Sequence, residues 1–221
     1  MTTPVAAPPV GMGASWGLLE TRRLAPGLQE MFFSQNHAHL GGLWGTDLSR
    51  AMAAEADRRW ATATLPETGP RTPVSSDRAT GKRTPVATGA LLDRLHHALV
   101  PLARALSARL LVPTVAAYGY YRDDDRVILH LDGEPSDVVL LAPALGDVGP
   151  LHLHPEMVGL TPVELGRFES DPGWDRNSGL PIRYPSDGVT ALRGNVVPHH
   201  RPGRLITVLS AVAALHYRSL F

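Results

Sequence analysis

The apolar positions of the first half of the chain follow helical spacing, whereas those of the second half fall in short runs with the texture of strands. Leu91, Leu95, Leu99, Leu102, Leu106 and Leu110 recur at intervals of four, four, three, four and four, which predicts a core-facing helix over residues 89–111. Pro101 lies inside it and is expected to kink or divide it, because proline removes a backbone donor and clashes with the preceding turn. A second helix is expected over Thr46–Trp60, with Thr46 or Asp47 as its N-cap. His96 and His97 ride on the Leu-rich helix and are expected at the surface. Residues 61–88, between the two helices, are rich in Pro, Thr, Ser and Gly and predict a mobile loop, either a lid or a disordered insertion with no role. If it closes, Arg71, Lys82 and Arg83 come within reach of an anionic substrate. The proline-broken residues 1–15 read as a flexible arm.

After Pro113 the chain turns to β-branched and aromatic runs bounded by Gly, Pro and Asp, which predict strands at 114–122, 127–131, 137–142, 151–154, 189–193, 195–198 and 205–215. No helical pattern between them is long enough for right-handed crossovers, so an antiparallel sandwich or barrel is favoured over a parallel sheet. The expected organisation is one domain over 16–221, with a helical part at 16–112 packed outside a β core at 113–221.

Composition narrows the function. Lys+Arg and Asp+Glu are both 21, so the formal net charge is zero and no basic face is available for nucleic acid. The absence of cysteine excludes thiolate metal sites, iron–sulfur clusters and a Cys nucleophile, and leaves any metal to His and carboxylate. The most apolar stretch, 91–112, is interrupted by Asp93, Arg94, Arg104 and Arg109, and no signal-like segment opens the chain. A cytoplasmic protein without a membrane partner is expected. The nucleophile elbow of serine hydrolases, the P-loop and a strand-linked G-x-G-x-x-G are all missing from the sequence.

Chemistry concentrates in Val127-Ile128-Leu129-His130-Leu131-Asp132-Gly133. An extended chain puts His130 and Asp132 on one face, and an imidazole with a carboxylate supplies two ligands of a facial triad. Such a triad, two His and one carboxylate, leaves three positions of an octahedral Fe(II) open. A further pair, His199-His200, follows about seventy residues later, ahead of Arg201 and Arg204.

The segment YYRDDDRVILHLD, with Tyr121 nine residues before His130, resembles the Tyr-to-His-x-Asp strand pair of Fe(II)/2-oxoglutarate-dependent oxygenases, particularly the prolyl-4-hydroxylase-like branch. The later segment GNVVPHHRPGRLITV resembles that family's distal-His strand and the following strand with its basic residue, so that the likeness spans residues 114–221. It implies a double-stranded β-helix, or jelly roll, with helices outside. It implies Fe(II), 2-oxoglutarate and O2 as cofactor and co-substrates, and the oxidation, typically hydroxylation, of a small molecule. Carried over by position, His130, Asp132 and His199 are the metal ligands, with His200 as the alternative to His199. Arg204 would pair with the distal carboxylate of 2-oxoglutarate, and Tyr121 would add a hydrogen bond there. Arg204 follows His199 by five residues, closer than the family's usual spacing, which keeps Arg201 and Arg193 open for that role. Asp124 replaces the family's turn glycine, a substitution that Asp tolerates. With Asp132 as third ligand, halogenation is disfavoured.

Two other readings remain. His152 and His154 also share a strand face, and with His199 they suggest a cupin-type dioxygenase or isomerase; in the oxygenase reading they line or back the pocket. A non-catalytic β-barrel binding module is the alternative from another class. The polar cluster Ser34-Gln35-Asn36-His37-Ala38-His39 before Gly41-Gly42 reads as a loop or a substrate-contacting segment.

Overall fold

The computed structural model describes residues 27–64, 85–123, 125–133, 136–203 and 206–221. The expected arm at 1–15, most of the expected loop (65–84) and Arg204 lie outside the described residues. At the loop's described ends, Thr64 and Val86 exchange both backbone hydrogen bonds, at 3.0 and 2.8 Å.

The Leu-periodic segment folds as two helices rather than one, α3 (Ala90–Ala98) and α4 (Val100–Ser107), with Pro101 in the first turn of the second, where its missing N–H costs nothing. The helix stops at Ser107, short of residue 111, because Ala108 turns left-handed at φ 52°. Glu55, from α2 (Thr46–Trp60), occupies the start of α3: its carboxylate accepts from the N–H groups of Leu91 and Leu92 and from the Tyr118 hydroxyl. The N-cap of α2 is Gly45, in an extended conformation, and not Thr46 or Asp47; Asp47 instead pairs with Arg50 at 2.9 Å. His96 is buried, against expectation, since its Nε2 donates to the His216 carbonyl; His97 is exposed.

Six strands form the larger sheet: β1 (His37–Leu40), β2 (Val86–Ala87), β3 (Leu111–Asp123), β5 (Val138–Leu145), β8 (Val189–Leu192) and β10 (Ile206–Ser219), in the order β1-β8-β5-β10-β3-β2. The smaller sheet, ordered β4-β9-β6-β7, contains β4 (Val127–His130), β6 (Leu151–Leu153), β7 (Leu180–Ile182) and β9 (His199–Arg201). Every pairing is antiparallel. One face of the large sheet packs Tyr118, Leu140, Ala213, Leu215 and Tyr217 against the helices, while the other packs Tyr121, Val139, Leu141, Leu192 and Val212 against Leu151, Leu153 and Ile182 of the small sheet. The double-stranded β-helix with outer helices is therefore present, and its interior is the space between the sheets.

Departures from the expected elements have local causes. The polar cluster at 34–39 contributes an edge strand: His37–Leu40 pairs with β8, with Ala38 and Leu40 turned to the core, so the N-terminal part is not purely helical. β3 begins at Leu111 and includes Pro113; its other neighbour, β2, pairs only at Tyr118 and Gly119, so the proline lies where that side of the strand is free. Residues 195–198 are a turn, with both Val196 and Val197 donating to the Arg193 carbonyl, and the strand starts at His199. The helices α1 (Leu28–Gln35) and α5 (Pro162–Ser170) were not expected, although Thr161 and Glu164 form a capping box legible as T-P-V-E. No helix among the described residues is long and apolar enough to cross a membrane.

Candidate metal centre

His130 ends β4 and faces His199 across the β4–β9 pair. The register slips by one residue between His130↔His199 and Val127↔Arg201, so Val127 and His130 both point between the sheets despite their odd spacing. Asp132 lies just beyond the strand. Its backbone N–H donates to the Gly194 carbonyl at 2.9 Å, and its Oδ1 and Oδ2 stand 3.6 Å from His130 Nε2 and 3.7 Å from His199 Nε2. The donor atoms of the three residues lie within 4.8 Å of one another.

The histidine tautomers suit metal binding. His130 Nδ1 is 2.8 Å from the Ile128 carbonyl and His199 Nδ1 is 3.0 Å from the Val197 carbonyl. A carbonyl only accepts, so each ring carries its proton on Nδ1 and presents a bare Nε2 to Asp132. Burial holds His199 at about 4, well below the usual histidine value, aided by His130. Burial would also lower His130, but the hydrogen bond and charge of Asp132 outweigh it and raise this imidazole. Asp132 would rise on burial, yet His199 and then His130 hold its carboxyl far below the usual range. Two imidazole nitrogens and one ionised oxygen, oriented by backbone carbonyls, fit a divalent first-row metal.

Two loops hold this arrangement. Residue 194 must be glycine, since a Cβ there would lie 2.2 Å from Asp132 Oδ2 and 2.7 Å from Val139 Cγ2. Asn195 ties its loop to the one after Asp132, its N–H donating to the Ser136 carbonyl and its amide to Asp137 Oδ1. Ser136 in turn hydrogen-bonds His216 Nδ1 at 2.8 Å, and the His216 ring is close enough to Asp132 and His130 to be felt by both.

Strand parity separates the remaining histidines. Leu153 pairs with His199 and His152 with His200, so His199 shares the interior face with Leu153, and His152 and His200 lie outside. The cupin trio of His152, His154 and His199 therefore cannot surround one ion. His200 is not a ligand of the interior cluster either: Nε2 donates to the Arg176 carbonyl, Nδ1 accepts from His154 Nε2 at 3.0 Å, and burial holds the ring at about 4. His154 also pairs with Glu156 at 2.7 Å, and His152 Nδ1 donates to the Ser178 carbonyl, so this outer cluster backs β9.

Further inside, Arg201 follows His199 by two residues on the same face. It is 3% exposed, donates from Nη1 to the Val148 carbonyl and from Nη2 to the Tyr184 hydroxyl, and lies 4.2 Å from the centre of the Tyr121 ring. Its Nε is buried without a partner, and it pairs with no carboxylate among the described residues. Burial pushes Tyr184 up to about 12, so it remains a neutral phenol beside the cation. The Tyr121 ring lies between the sheets, stacked on the Arg201 guanidinium. Arg193 is elsewhere, over Phe33 at the rim. The period-two relation of His199 and Arg201 was available in the sequence and marks Arg201 as interior; Gly194, Ser136, Tyr184 and His216 join the site only through tertiary contacts.

No family model and no curated protein sequence matches the chain. Solved structures do. A Pseudomonas putida prolyl-4-hydroxylase aligns at 14% identity and TM-score 0.59, covering 88% of this chain and 98% of that one. The Trichoplax adhaerens prolyl hydroxylase, in complex with a hypoxia inducible factor peptide fragment, aligns at 13% identity and TM-score 0.66, covering 94% of each. HygX from Streptomyces hygroscopicus, with nickel, 2-oxoglutarate and hygromycin B bound, aligns at 15% identity and TM-score 0.60, covering 90% of this chain and 88% of that one. The chain is built on the double-stranded β-helix seen in these oxygenases.

Proposed function

We propose that the protein is an Fe(II)- and 2-oxoglutarate-dependent oxygenase that oxidises a small molecule, with His130, Asp132 and His199 holding the metal. The observation that carries this reading is the pairing, inside one barrel, of two oriented imidazoles and a carboxylate with a buried guanidinium that has no counter-anion among the described residues. A buried charge left unpaired is costly, and a bound carboxylate offsets that cost. Arg201 stands two residues from His199, about 6.6 Å along an extended strand, which suits a short dicarboxylate reaching from metal to guanidinium. We therefore assign the co-substrate's distal carboxylate to Arg201, supported by the Tyr184 hydroxyl, with Tyr121 stacked on the guanidinium. HygX, which shares the fold, holds nickel and 2-oxoglutarate together, in keeping with the same pairing here.

When bound, Fe(II) with 2-oxoglutarate and O2 supplies the oxidation of a substrate C–H bond, with release of succinate and CO2. The chain's own part is orientation and exclusion of water. The Ile128 and Val197 carbonyls fix the two imidazoles, Gly194 seats Asp132, and the apolar lining of Leu141, Leu153, Val197 and Val212 keeps the inner pocket dry. Anaerobic titration of Fe(II) and then 2-oxoglutarate, followed by succinate detection on admission of O2, tests the proposal. A weak visible charge-transfer band and succinate formation are expected, both lost in His130→Ala and Asp132→Ala. A band that survives both substitutions, or metal binding with no response to 2-oxoglutarate, overturns it.

A further inference from the structure

Three arginines stand at the barrel end that carries the candidate metal centre, and none belongs to the machinery above. Arg193 directly follows β8 and directly precedes Gly194, whose carbonyl holds Asp132. Its N–H donates to the Asn36 carbonyl and its Nη1 to Asn36 Oδ1, each at 3.0 Å. Asn36 takes the left-handed conformation that ends α1, at φ 60°, which asparagine tolerates better than most residues. The Arg193 guanidinium lies 5.2 Å from the centre of the Phe33 ring, which is 39% exposed. Arg218 is exposed near the end of β10, on the His216 face of that strand by alternation, and next to Ser219, whose N–H donates to Asp137. Arg109 is exposed in the turn between α4 and β3; its neighbour Leu110 accepts from Leu220 N–H, bringing it to the same end.

The described charges at this end are unbalanced. Among the described residues no carboxylate comes within ion-pair distance of Arg109, Arg193 or Arg218. Asp137 is nearby, but its two oxygens are engaged by the Asn195 amide and the Ser219 N–H. Burial, and after it the Arg109 charge, lower the Arg193 pKa against the opposing pull of Asp137. A guanidinium oriented by an Asn side chain and an aromatic ring, with a second cation close enough to repel it, is a fork presented to an oxyanion.

We propose that this rim binds an oxyanion of the substrate, a carboxylate or a phosphate, with Arg193 as the principal contact and Arg109 and Arg218 adding charge. The site stands on the placement of the guanidiniums; its role as a substrate subsite rests on the oxygenase reading. A neutral chain with one such rim takes a small molecule carrying one anionic group, held by the rim while another part of it reaches the metal.

Inorganic phosphate and acetate are titrated into the full-length protein at constant ionic strength with chloride, followed by 31P and 13C NMR, with and without Mn(II) at the metal centre. Arg193→Gln is expected to weaken the tighter-binding anion roughly ten- to a hundredfold, the span of a lost charged hydrogen bond, and Arg193→Lys less. Arg109→Gln and Arg218→Gln should weaken it by smaller factors, and Asp132→Ala should remove Mn(II) while leaving the anion bound. Enhanced relaxation of the anion by Mn(II), absent in Arg193→Gln, supports the substrate role; tighter acetate names a carboxylate and tighter phosphate a phosphate. Equal affinity in the wild type and Arg193→Gln, or no affinity above chloride, overturns the site. Binding with Mn(II) in place but without enhancement overturns its substrate role. Failure of Mn(II) to bind at all, seen in its electron paramagnetic resonance signal, counts against the metal centre instead, and the titrations then decide the rim alone.

Discussion

Replacing Arg201 perturbs the proposed co-substrate pocket without touching a proposed metal ligand. The guanidinium has five N–H donors, of which one reaches Val148 and one Tyr184, so the buried Nε–H and one donor on each Nη remain for an anion. Because Arg201 is 3% exposed, solvent neither screens the contact nor replaces it when it is lost. Truncating one partner of a buried charged pair costs about 2–5 kcal/mol, so Arg201→Met should raise the 2-oxoglutarate dissociation constant about 30- to several-thousand-fold. Fe(II) affinity should stay near wild type, since the triad is intact. Arg201→Lys should recover only part, as a point charge does not reproduce the planar fork. Losing the stack on Tyr121 also costs stability, on the order of 2 kcal/mol for a desolvated pair, so each variant's melting curve accompanies its titration. The assay is anaerobic calorimetry of Fe(II), then of 2-oxoglutarate into the Fe(II)-loaded protein, with Arg204→Met run in parallel. A folded Arg201→Met protein that binds 2-oxoglutarate like wild type refutes the assignment; if Arg204→Met is crippled beside it, the role belongs to Arg204.

His199→Ala should abolish Fe(II) binding while His200→Ala retains most of it, because the two rings lie on opposite faces of β9; calorimetry giving the reverse order would reject that parity. Gly194→Ala should lower metal affinity about 10- to 100-fold, as other losses of outer support do, because the new Cβ takes the space of the Asp132 carboxylate; unchanged affinity would mean that Asp132 sits elsewhere. Metal-free protein should lose stability as pH falls from about 6.5 toward 4. The unfolded chain takes up protons there at His199 and His200, which the folded chain holds neutral down to about 4, while His130, raised rather than lowered, opposes part of the effect. Urea midpoints across that range check the sign, and His200→Gln should flatten the slope; a midpoint that rises on acidification contradicts the assignment.

Periodicity along the chain specifies much of the fold. Leucine spacing located α3 and α4, and alternation located β3, β4, β5, β8 and β10 to within a few residues. What periodicity does not specify is set by contacts distant in sequence. His37–Leu40 is a strand because β8 offers an edge some 150 positions away, and no local pattern in a polar hexapeptide signals that. Residues 195–198 look like a strand by composition, yet the Arg193 carbonyl captures two successive N–H groups and turns the chain, and that turn lets His199 enter β9 facing His130.

The same contrast explains the site. His130 and Asp132 were legible as a short local motif, and the choice between His199 and His200 reduced to one unknown, the register of β9 against β4 and β6. Once Leu153↔His199 is fixed, every neighbour follows by alternation: His200 outward to His154, Arg201 inward to Tyr121 and Tyr184. A one-residue slip would exchange these assignments, burying His200 beside Asp132 and expelling the guanidinium from the pocket. The ties on either side oppose that slip. His154 N–H donates to the Pro198 carbonyl, His200 is held at both ring nitrogens, and Gly194 accommodates Asp132 only in this register. The outer histidine cluster, which as a sequence motif suggested a second metal chemistry, therefore acts on the interior by keeping His199 and Arg201 on the inward face of one short strand.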